Sequence, residues 1–332
     1  MKITAYGVST EEQRIFEKWQ ATHPDVTLQL LPDWLTAANV DLAAGSLGIS
    51  AFQTGQYDAA LFEKMARLQI PVLAIRNVGT DNIDFPAAAQ AGIQISNVPS
   101  YSPAGIAEYV VALALQLLRR LPEVTTLVAA DQLLTARGLT GRELSRQTVG
   151  VVGFGHIGQL TAKLFHQMGA RVLAYDAYYH GAEPTWLRLM PDLPSLLAES
   201  NLVTLHVPGV PANHHLLNAT NLALLPAEAL VINTARGNLI DTPALIAALK
   251  KGALGGAAID TFEREDQIEP AVQQQRPITD PLYRELLALP NVLVTPHIAY
   301  HTNVAVENMV QDSLANLLAY ASNGQLQTPV TH

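Results

Sequence analysis

The chain has 332 residues, of which 49% are hydrophobic and 15% are charged, and its formal net charge is −9. This length exceeds what one hydrophobic core usually serves and predicts two domains. The negative charge, without a run of Lys and Arg, argues against a nucleic-acid surface. The absence of cysteine excludes disulfides, thiolate nucleophiles and cysteine-ligated metals.

The apolar segments predict neither a signal peptide nor a membrane span. The segment MKITAYGVST lacks the basic start and apolar core of a signal peptide. The most apolar helical stretch, Tyr109–Leu118, has ten residues and precedes two arginines, whereas a bilayer requires about 20. We therefore expect a cytoplasmic protein with no membrane or nucleic-acid partner.

Short apolar runs alternate with helical patterns in the first hundred residues, which is typical of a parallel sheet covered by helices. Helical patterns occupy residues 11–21 and 59–68, and the predicted strands are KITAYGV, VTLQLLP, LGISAF, VLAIRN and IQISNV. A longer helix follows, in which Ser102 can cap the first turn and Pro103 fits it. Its body is the segment GIAEYVVALALQLLRR.

A second series of predicted strands begins at Thr148 and comprises TVGVVGFG, RVLAYD, LVTLHVP, ALVINTAR, GAAID and VLVTPHIA. Helices are predicted at 243–251 and 304–320, the first capped by Asp241 or Thr242. This order predicts an inserted domain. A first α/β domain would comprise residues 1–100 and 300–332, and a second α/β domain would occupy residues 101–299, each with a doubly wound parallel sheet.

Gly153, Gly155 and Gly158 form the pattern G-x-G-x-x-G between a predicted strand and a predicted helix. Glycine permits the tight turn and the close approach of a pyrophosphate, which would meet the unpaired N–H groups of the helix. Asp176 ends the next strand, where a carboxylate accepts hydrogen bonds from both ribose hydroxyls and repels a 2′-phosphate. The following residues, AYYH, supply no arginine for such a phosphate. The pattern predicts a Rossmann domain that binds NAD rather than NADP.

Arg236, Glu265 and His297 stand at the ends of three late strands. Reduction of a 2-keto acid needs an anchor for the carboxylate, a proton for the developing alkoxide, and a group that keeps the proton available. Arginine binds a carboxylate through two parallel hydrogen bonds, histidine exchanges protons near neutral pH, and a carboxylate favours imidazolium and fixes the ring. Each residue alone has an ordinary structural explanation, such as a solvated ion pair. Their joint occurrence behind the NAD pattern favours catalysis.

Four segments, VGFGHIG…AYD, VINTARGNLIDTPALIAALKKG, AIDTFERE and VTPHIAYHT, closely resemble the D-2-hydroxyacid dehydrogenase family, and most of all its bacterial D-lactate dehydrogenases. The resemblance covers almost the whole chain, including RNVGTDNID and VPSYSPAGIAEY. It implies a flavodoxin-like substrate domain with an inserted Rossmann NAD-binding domain. It also implies a homodimer through the inserted domain, to which the helix at 109–118 would contribute if it is not simply a core helix.

The resemblance also implies residue roles. Arg236 would bind the substrate carboxylate, His297 would be the acid and base, and Glu265 would orient it. Backbone groups at Val78 and Gly79, with Tyr101, would help to hold the substrate. The cofactor site would be lined by the glycine pattern, Asp176 and Arg236, and by His156, Ile157, Val207, Pro208, Asn213, Thr234, Ala235 and Asp260. His206 would either lie near the cofactor or make only structural hydrogen bonds.

Phe52 bears on the size of the substrate. The D-lactate enzymes that the chain resembles carry tyrosine at this position, and relatives that act on longer chains carry an aliphatic residue. A ring here, with Tyr300 crowding the same pocket, predicts a small substrate side chain and favours pyruvate over branched keto acids. The alternative is that Phe52 only fills the core at a strand end. The D configuration of the product, lactate, follows from the resemblance alone.

Other interpretations remain open. A broader D-2-hydroxyacid dehydrogenase would act on 2-ketoisocaproate or phenylpyruvate, and NAD-sensing corepressors related to C-terminal binding protein can retain the same three charged residues. Phosphoglycerate dehydrogenase is disfavoured by the pocket motif, and formate dehydrogenase by Glu265, where that branch has glutamine. We expect no metal at His214 and His215, because no acidic or histidine partner lies nearby at ligand spacing.

Overall fold

The computed structural model describes residues 1–53 and 55–330. The chain divides into two compact units: unit 1 holds residues 1–102 and the chain from 301 onward, and unit 2 holds residues 103–300. The chain passes from one unit to the other after residues 102 and 300, and both positions are within two residues of the predicted domain boundaries. Over the described ranges, the helices are all too short or too polar to span a membrane.

Unit 1 begins with a five-stranded parallel sheet in the order β2-β1-β3-β4-β5, which is the flavodoxin-like order. Its strands are β1 (Lys2–Tyr6), β2 (Thr27–Leu30), β3 (Gly48–Ala51), β4 (Val72–Ile75) and β5 (Gln94–Ser96). Its first helices are α1 (Thr10–Thr22), α2 (Ala59–Arg67) and α3 (Phe85–Gln90), with a 3-10 turn at Val40–Ala43. The sheet and its order confirm the fold class predicted for this domain.

A buried ion pair joins the strand ends of unit 1. Arg76 Nε lies 2.8 Å from Glu12 Oε1, and the two side chains are 0% and 8% exposed. The guanidinium also donates to the carbonyls of Tyr6 and Gly7 and to the hydroxyl of Ser50. Because every one of these groups is paired, the charge is tolerated in the interior. The pair fixes the carboxyl edge of the sheet, where β1, β3 and β4 end.

Unit 2 contains a seven-stranded parallel sheet preceded by three helices, α4 (Pro103–Leu118), α5 (Leu121–Ala129) and α6 (Leu133–Arg137). The strands are β6 (Thr148–Val152), β7 (Arg171–Tyr175), β8 (Leu187–Leu189), β9 (Leu202–Leu205), β10 (Ala229–Asn233), β11 (Leu254–Ile259) and β12 (Val292–Val294). The order β12-β11-β10-β9-β6-β7-β8 reverses direction at β6, as in a Rossmann fold. The Rossmann prediction is confirmed, although β8 was not among the predicted strands.

The remaining helices of unit 2 cover this sheet. They are α7 (His156–Gln167), α8 (Leu193–Glu199), α9 (Ala219–Leu222), α10 (Thr242–Lys250), α11 (Glu265–Gln273) and α12 (Pro281–Leu287), with 3-10 turns at Leu144–Arg146, Pro211–Asn213 and Gly237–Leu239. Helix α4 packs against α7, and Val110, Leu113, Ala114 and Leu117 are buried in the core of the unit. That face of α4 is therefore a core surface and is not available to a second chain.

The chain then returns to unit 1 as α13 (Asn303–Asn323). Thr302 caps its start by accepting a hydrogen bond from the Ala305 amide, and Gly324 ends it in the left-handed conformation at φ 74°. Val310, Leu314 and Leu317 on one face of α13 join the core cluster on the sheet of unit 1. The last helix thus completes the domain that the first hundred residues began.

Candidate active site

The glycine pattern forms the turn between β6 and α7. Gly153 has φ +94°, and a Cβ on Gly158 would lie 2.0 Å from the Gly153 carbonyl oxygen, so both positions require glycine. A Cβ on Gly155 would meet no atom within 4 Å. Helix α7 starts directly after Gly155 with no side-chain cap on its first N–H groups. The turn therefore offers open space and unpaired donors to a pyrophosphate.

Asp176 lies beside this turn at the end of β7. Its Oδ2 accepts a hydrogen bond from the Phe154 amide at 2.7 Å, and its Oδ1 accepts one from the Tyr178 amide at 2.8 Å. These bonds fix the carboxylate next to the glycine turn, where it can accept hydrogen bonds from ribose hydroxyls. The residues present fit a dinucleotide without a 2′-phosphate.

The other predicted cofactor residues follow the carboxyl ends of neighbouring strands, the edge at which open α/β sheets bind ligands. His156 and Ile157 open α7 after β6, and the rest follow β9, β10 or β11. These are His206, Val207, Pro208 and Asn213 after β9, Thr234, Ala235 and Arg236 after β10, and Asp260 after β11. The Asn213 amide donates to the Pro208 carbonyl at 2.9 Å, which closes the loop after β9.

Arg236 begins a 3-10 turn directly after β10. The fully buried Asn233 braces this turn, because its Nδ2 donates to the Arg236 carbonyl at 2.8 Å and its Oδ1 accepts from the Ala235 amide at 3.0 Å. The guanidinium of Arg236 donates to the Ala235 carbonyl at 2.8 Å. Sequence reasoning missed Asn233, although a buried amide at the end of an apolar strand is itself an unusual feature.

His297 and Glu265 are in direct contact. His297 Nδ1 lies 3.1 Å from both carboxylate oxygens of Glu265, and each side chain is about 30% exposed. Glu265 is the first residue of α11 and His297 follows β12, so the strands β11 and β12 deliver the pair from adjacent positions. Because Nδ1 faces the carboxylate, Nε2 is the ring atom that remains for a substrate.

Asp260 positions the segment that carries His297. Its buried carboxylate accepts hydrogen bonds from the Thr295 hydroxyl at 2.6 Å, the Ile298 amide at 3.0 Å and the Ala299 amide at 2.9 Å. Its carbonyl accepts a further bond from the His297 amide at 2.8 Å. The structure thus gives Asp260 a positioning function beside the cofactor-lining function that the resemblance implies.

Two more side chains approach His297. The ring of Tyr300 lies edge-on to the imidazole with centroids 6.4 Å apart. Glu269 lies one helical turn after Glu265 on α11. Burial raises the pKa of Glu269, and the negative charge of Glu265 adds to this, whereas hydrogen bonding by Gln273 and the charge of His297 oppose it. Glu269 was not predicted, because its position in a charged run resembles a solvated surface.

The predicted substrate residues of unit 1 follow β3, β4 and β5, which are adjacent in its sheet. Phe52 comes directly after β3, and Val78 and Gly79 follow β4. Three asparagines that were not predicted hold the backbone here: Asn97 donates to the Val78 carbonyl, Asn77 to the Gly79 carbonyl, and Asn308 to the Tyr101 carbonyl, at 2.6 to 2.8 Å.

Comparison with known proteins agrees with this geometry. Residues 111–299 match the sequence model of the family described as D-isomer specific 2-hydroxyacid dehydrogenase, NAD binding domain. The chain belongs to the D-isomer specific 2-hydroxyacid dehydrogenase family. It is therefore an NAD-dependent oxidoreductase, and the predictions of the family, the enzyme class and the cofactor are confirmed.

Several relatives match the dehydrogenase over its whole length. It is 45% identical over 332 residues to a D-2-hydroxyacid dehydrogenase (NAD+) of Lacticaseibacillus paracasei, covering 100% of this chain and 99% of that protein. It is 38% identical to a D-lactate dehydrogenase of Lactiplantibacillus plantarum over 99% of both chains. Among solved structures, a D-2-hydroxyisocaproate dehydrogenase is similar with a TM-score of 0.94 at 44% identity over 100% of both chains.

His214 and His215 of the dehydrogenase have an acidic neighbour that sequence spacing did not reveal. Glu263 Oε1 lies 2.5 Å from His215 Nε2, and His214 completes a group whose ligand atoms are within 4.8 Å of one another. A zinc ion bound by both atoms would hold them about 3.3 Å apart, given metal–ligand distances near 2 Å. The contact is a hydrogen bond in this structure, and the expectation of no metal remains a prediction.

His206 of the dehydrogenase lies at the end of β9, where its Nε2 is 3.0 Å from the Thr204 hydroxyl. Burial lowers the pKa of His206 from 6.5 to about 3. The unfolded chain therefore binds a proton that the folded protein does not bind between these two pH values. Stability must therefore fall as the pH drops below 6.5, by at most about 1.4 kcal/mol per pH unit, which is the limit for one proton.

We predict that His206→Gln weakens this acid sensitivity. Gln keeps a polar atom for Thr204 but does not titrate, so the wild type should lose about 1–2 kcal/mol more stability than the variant between pH 7 and pH 5. Urea denaturation of both proteins at each pH measures the difference. Equal losses in the two proteins would contradict the depressed pKa.

Proposed function

We propose that the dehydrogenase interconverts pyruvate and D-lactate. The observation that carries the proposal is the 3.1 Å contact between Glu265 and His297, with Arg236 at the end of the next strand. The three residues follow β11, β12 and β10, which are consecutive in the sheet. A carboxylate anchor and an oriented acid–base group at one sheet edge are what 2-keto acid reduction requires.

The chemistry divides among these residues. When bound, the nicotinamide ring supplies a hydride to the keto carbon and accepts it in the reverse direction. Arg236 binds the substrate carboxylate through two N–H groups. His297 donates a proton from Nε2 to the developing alkoxide, and takes it back when lactate is oxidised. Glu265 holds the Nδ1 proton, which fixes the ring and stabilises the imidazolium form.

Phe52 supports a small substrate, because the D-lactate enzymes that the chain resembles carry another aromatic residue, tyrosine, at this position and relatives that act on longer chains carry an aliphatic one. The second candidate is a broader D-2-hydroxyacid dehydrogenase that takes 2-ketoisocaproate or phenylpyruvate. The names of the 45% identical relative and of the structure with a TM-score of 0.94 favour it. Both candidates share one mechanism and differ only in how much side chain the site accepts.

We also propose that the dehydrogenase forms a homodimer through unit 2 and acts in the cytoplasm, without a nucleic-acid partner. The resemblance implies the dimer. NAD is an intracellular redox cofactor, which supports the cytoplasmic location. The net charge of −9 supports the absence of a nucleic-acid partner. Helices α5 and α6 have no buried residue. They expose Leu121, Val128, Leu133 and Leu134, the last at 84%, and such apolar patches mark interfaces.

We predict that Leu134→Glu converts the dimer to a monomer at micromolar concentration, because a charge would be buried at the interface. Sedimentation equilibrium measures the mass. Val304→Glu is a matched control, since Val304 is also exposed (53%) but lies in unit 1. A wild-type protein that is already monomeric, or a Leu134→Glu variant that stays dimeric, would contradict the assignment of this surface.

We predict that substitutions of Arg236 and His297 affect different kinetic constants. Arg236→Ala should raise the KM for pyruvate by about 30-fold or more, since loss of a paired ionic anchor costs about 2–5 kcal/mol. His297→Ala should chiefly lower kcat, by about 10²–10⁴-fold, because a general acid acts in the transition state. Steady-state kinetics at saturating NADH measure both, with the exposed His214→Ala as control. Near-normal kinetics in either variant would refute that assignment.

A further inference from the structure

The contact between His215 and Glu263 has no place in the mechanism above. His215 Nε2 lies 2.5 Å from Glu263 Oε1, and the other carboxylate oxygen accepts a hydrogen bond from the Thr242 amide at 3.0 Å. Burial alone would raise the pKa of Glu263, but hydrogen bonds from His215 and Thr242 lower it below its ordinary value. Glu263 is therefore a carboxylate fixed at both oxygens, only two residues before Glu265.

His215 has an unfavourable backbone conformation, and its amide and its ring each make a contact of their own. Its φ is +50°, a region that non-glycine residues rarely adopt. Its amide donates to the Asn238 carbonyl at 2.8 Å, and its ring stacks on His214 at 3.9 Å. Backbone strain of this kind costs about 1–3 kcal/mol and persists where surrounding contacts impose it. These contacts therefore hold the His215 ring in one defined position.

The segments that the His215–Glu263 hydrogen bond joins also support Arg236. Asn238 Nδ2 donates to the Gly209 carbonyl at 2.9 Å, so the loop from Gly209 to His215 runs along the turn that Arg236 begins. A Cβ on Gly209 would lie 2.8 Å from Arg236 Cγ, which shows that the arginine stem rests on this loop. A Cβ on Gly237 would lie 2.5 Å from the Glu263 amide nitrogen.

Arg236 is thus enclosed between two segments. The loop 209–215 lies against its side chain, and the backbone at 262–263 lies against the residue that follows it. The His215–Glu263 pair is a side-chain link between these two segments, which are 48 residues apart in the chain at this contact. Breaking the pair would release the far end of the loop from the backbone at 262–263 and leave only the hydrogen bonds with Asn238 to hold the surface at Gly209 on which the arginine stem lies.

We propose that His215 and Glu263 are positioning residues that hold the Arg236 guanidinium in the orientation that binds the substrate carboxylate. The inference rests on the proposed function of Arg236. Neither residue touches the reacting atoms, and the pair acts through the loop 209–215 and the turn at Gly237–Leu239. Its loss raises the KM for a 2-keto acid and leaves the hydrogen-bonded Glu265–His297 contact in place.

The test compares His215→Ala, Glu263→Ala and the double variant in the full-length dehydrogenase. Each should raise the KM for pyruvate, and the Ki for oxamate as a carboxylate analogue, by about 10-fold. The value of kcat should stay within about threefold when both constants are measured at saturating NADH, so that any change in the cofactor-lining residue Asn213 of the loop does not enter the KM for pyruvate. The double variant should be no worse than the worse single variant, since both remove one interaction. His215→Gln, which can still donate to Glu263, should restore a KM within about threefold of the wild type.

Three controls separate positioning from stability and from the function itself. His214→Ala removes the stacked ring but keeps the His215–Glu263 hydrogen bond, and should leave the KM within about threefold of the wild type. Leu197→Ala removes a core side chain of α8 in unit 2, and should lower Tm without raising KM. Arg236→Ala, assayed in parallel, shows whether the arginine binds the carboxylate at all.

The outcomes are distinct. A raised KM in Arg236→Ala, with His215→Ala and Glu263→Ala showing only a lower Tm, overturns the positioning proposal and leaves the proposed function intact. An unchanged KM in Arg236→Ala overturns the proposed role of Arg236 and the inference with it. Additive losses in the double variant, or a failure of His215→Gln to restore KM, also overturn the inference.

Discussion

The arrangement of the candidate active site depends on the buried carboxylate of Asp260. It accepts three hydrogen bonds from the segment 295–299, which are charge-assisted and therefore stronger than ordinary ones. Within this segment His297 has the left-handed backbone conformation, with φ +54°, and this conformation is energetically unfavourable for a residue with a Cβ. The carboxylate compensates the cost. It directs the imidazole towards Glu265 instead of letting the chain continue as an extended strand.

The parallel sheet explains why distant residues share one site. Adjacent strands lie about 4.8 Å apart, so residues that follow three consecutive strands begin about 5 to 10 Å from one another. Arg236, Glu265 and His297 follow β10, β11 and β12. This spacing suits a substrate of a few carbon atoms whose carboxylate and keto oxygen must meet different groups. The glycine turn after β6 and Asp176 after β7 lie along the same edge of the sheet.

Features that depend on a few neighbouring residues could be predicted from the sequence. The glycine pattern, the acidic residue that ends β7, and the cap at Asp241 all have local causes. Consequently the two parallel-sheet domains, the inserted Rossmann domain and NAD could be inferred before the structure. The short strand β8 (Leu187–Leu189) lacked a pattern of its own and was missed.

Contacts between distant positions could not be predicted in the same way. Arg76 pairs with Glu12 across 64 residues, and His215 pairs with Glu263 across 48. Glu263 could not be assigned to the adjacent histidines from the sequence, because it lies 48 residues after His215. Asn233 was overlooked because its function is to brace a backbone turn, which no spacing rule describes. The substrate and cofactor roles of the individual site residues stay predictions.

The most direct test of the account is the kcat/KM for NADH oxidation with pyruvate, 2-ketoisocaproate and phenylpyruvate, together with NAD reduction by D-lactate and by L-lactate. We expect the dehydrogenase to prefer pyruvate and to oxidise only D-lactate. A preference for the larger keto acids would retain the mechanism and transfer the substrate assignment to the broader class. Oxidation of L-lactate, or tight NADH binding without turnover of any 2-keto acid, would contradict the account.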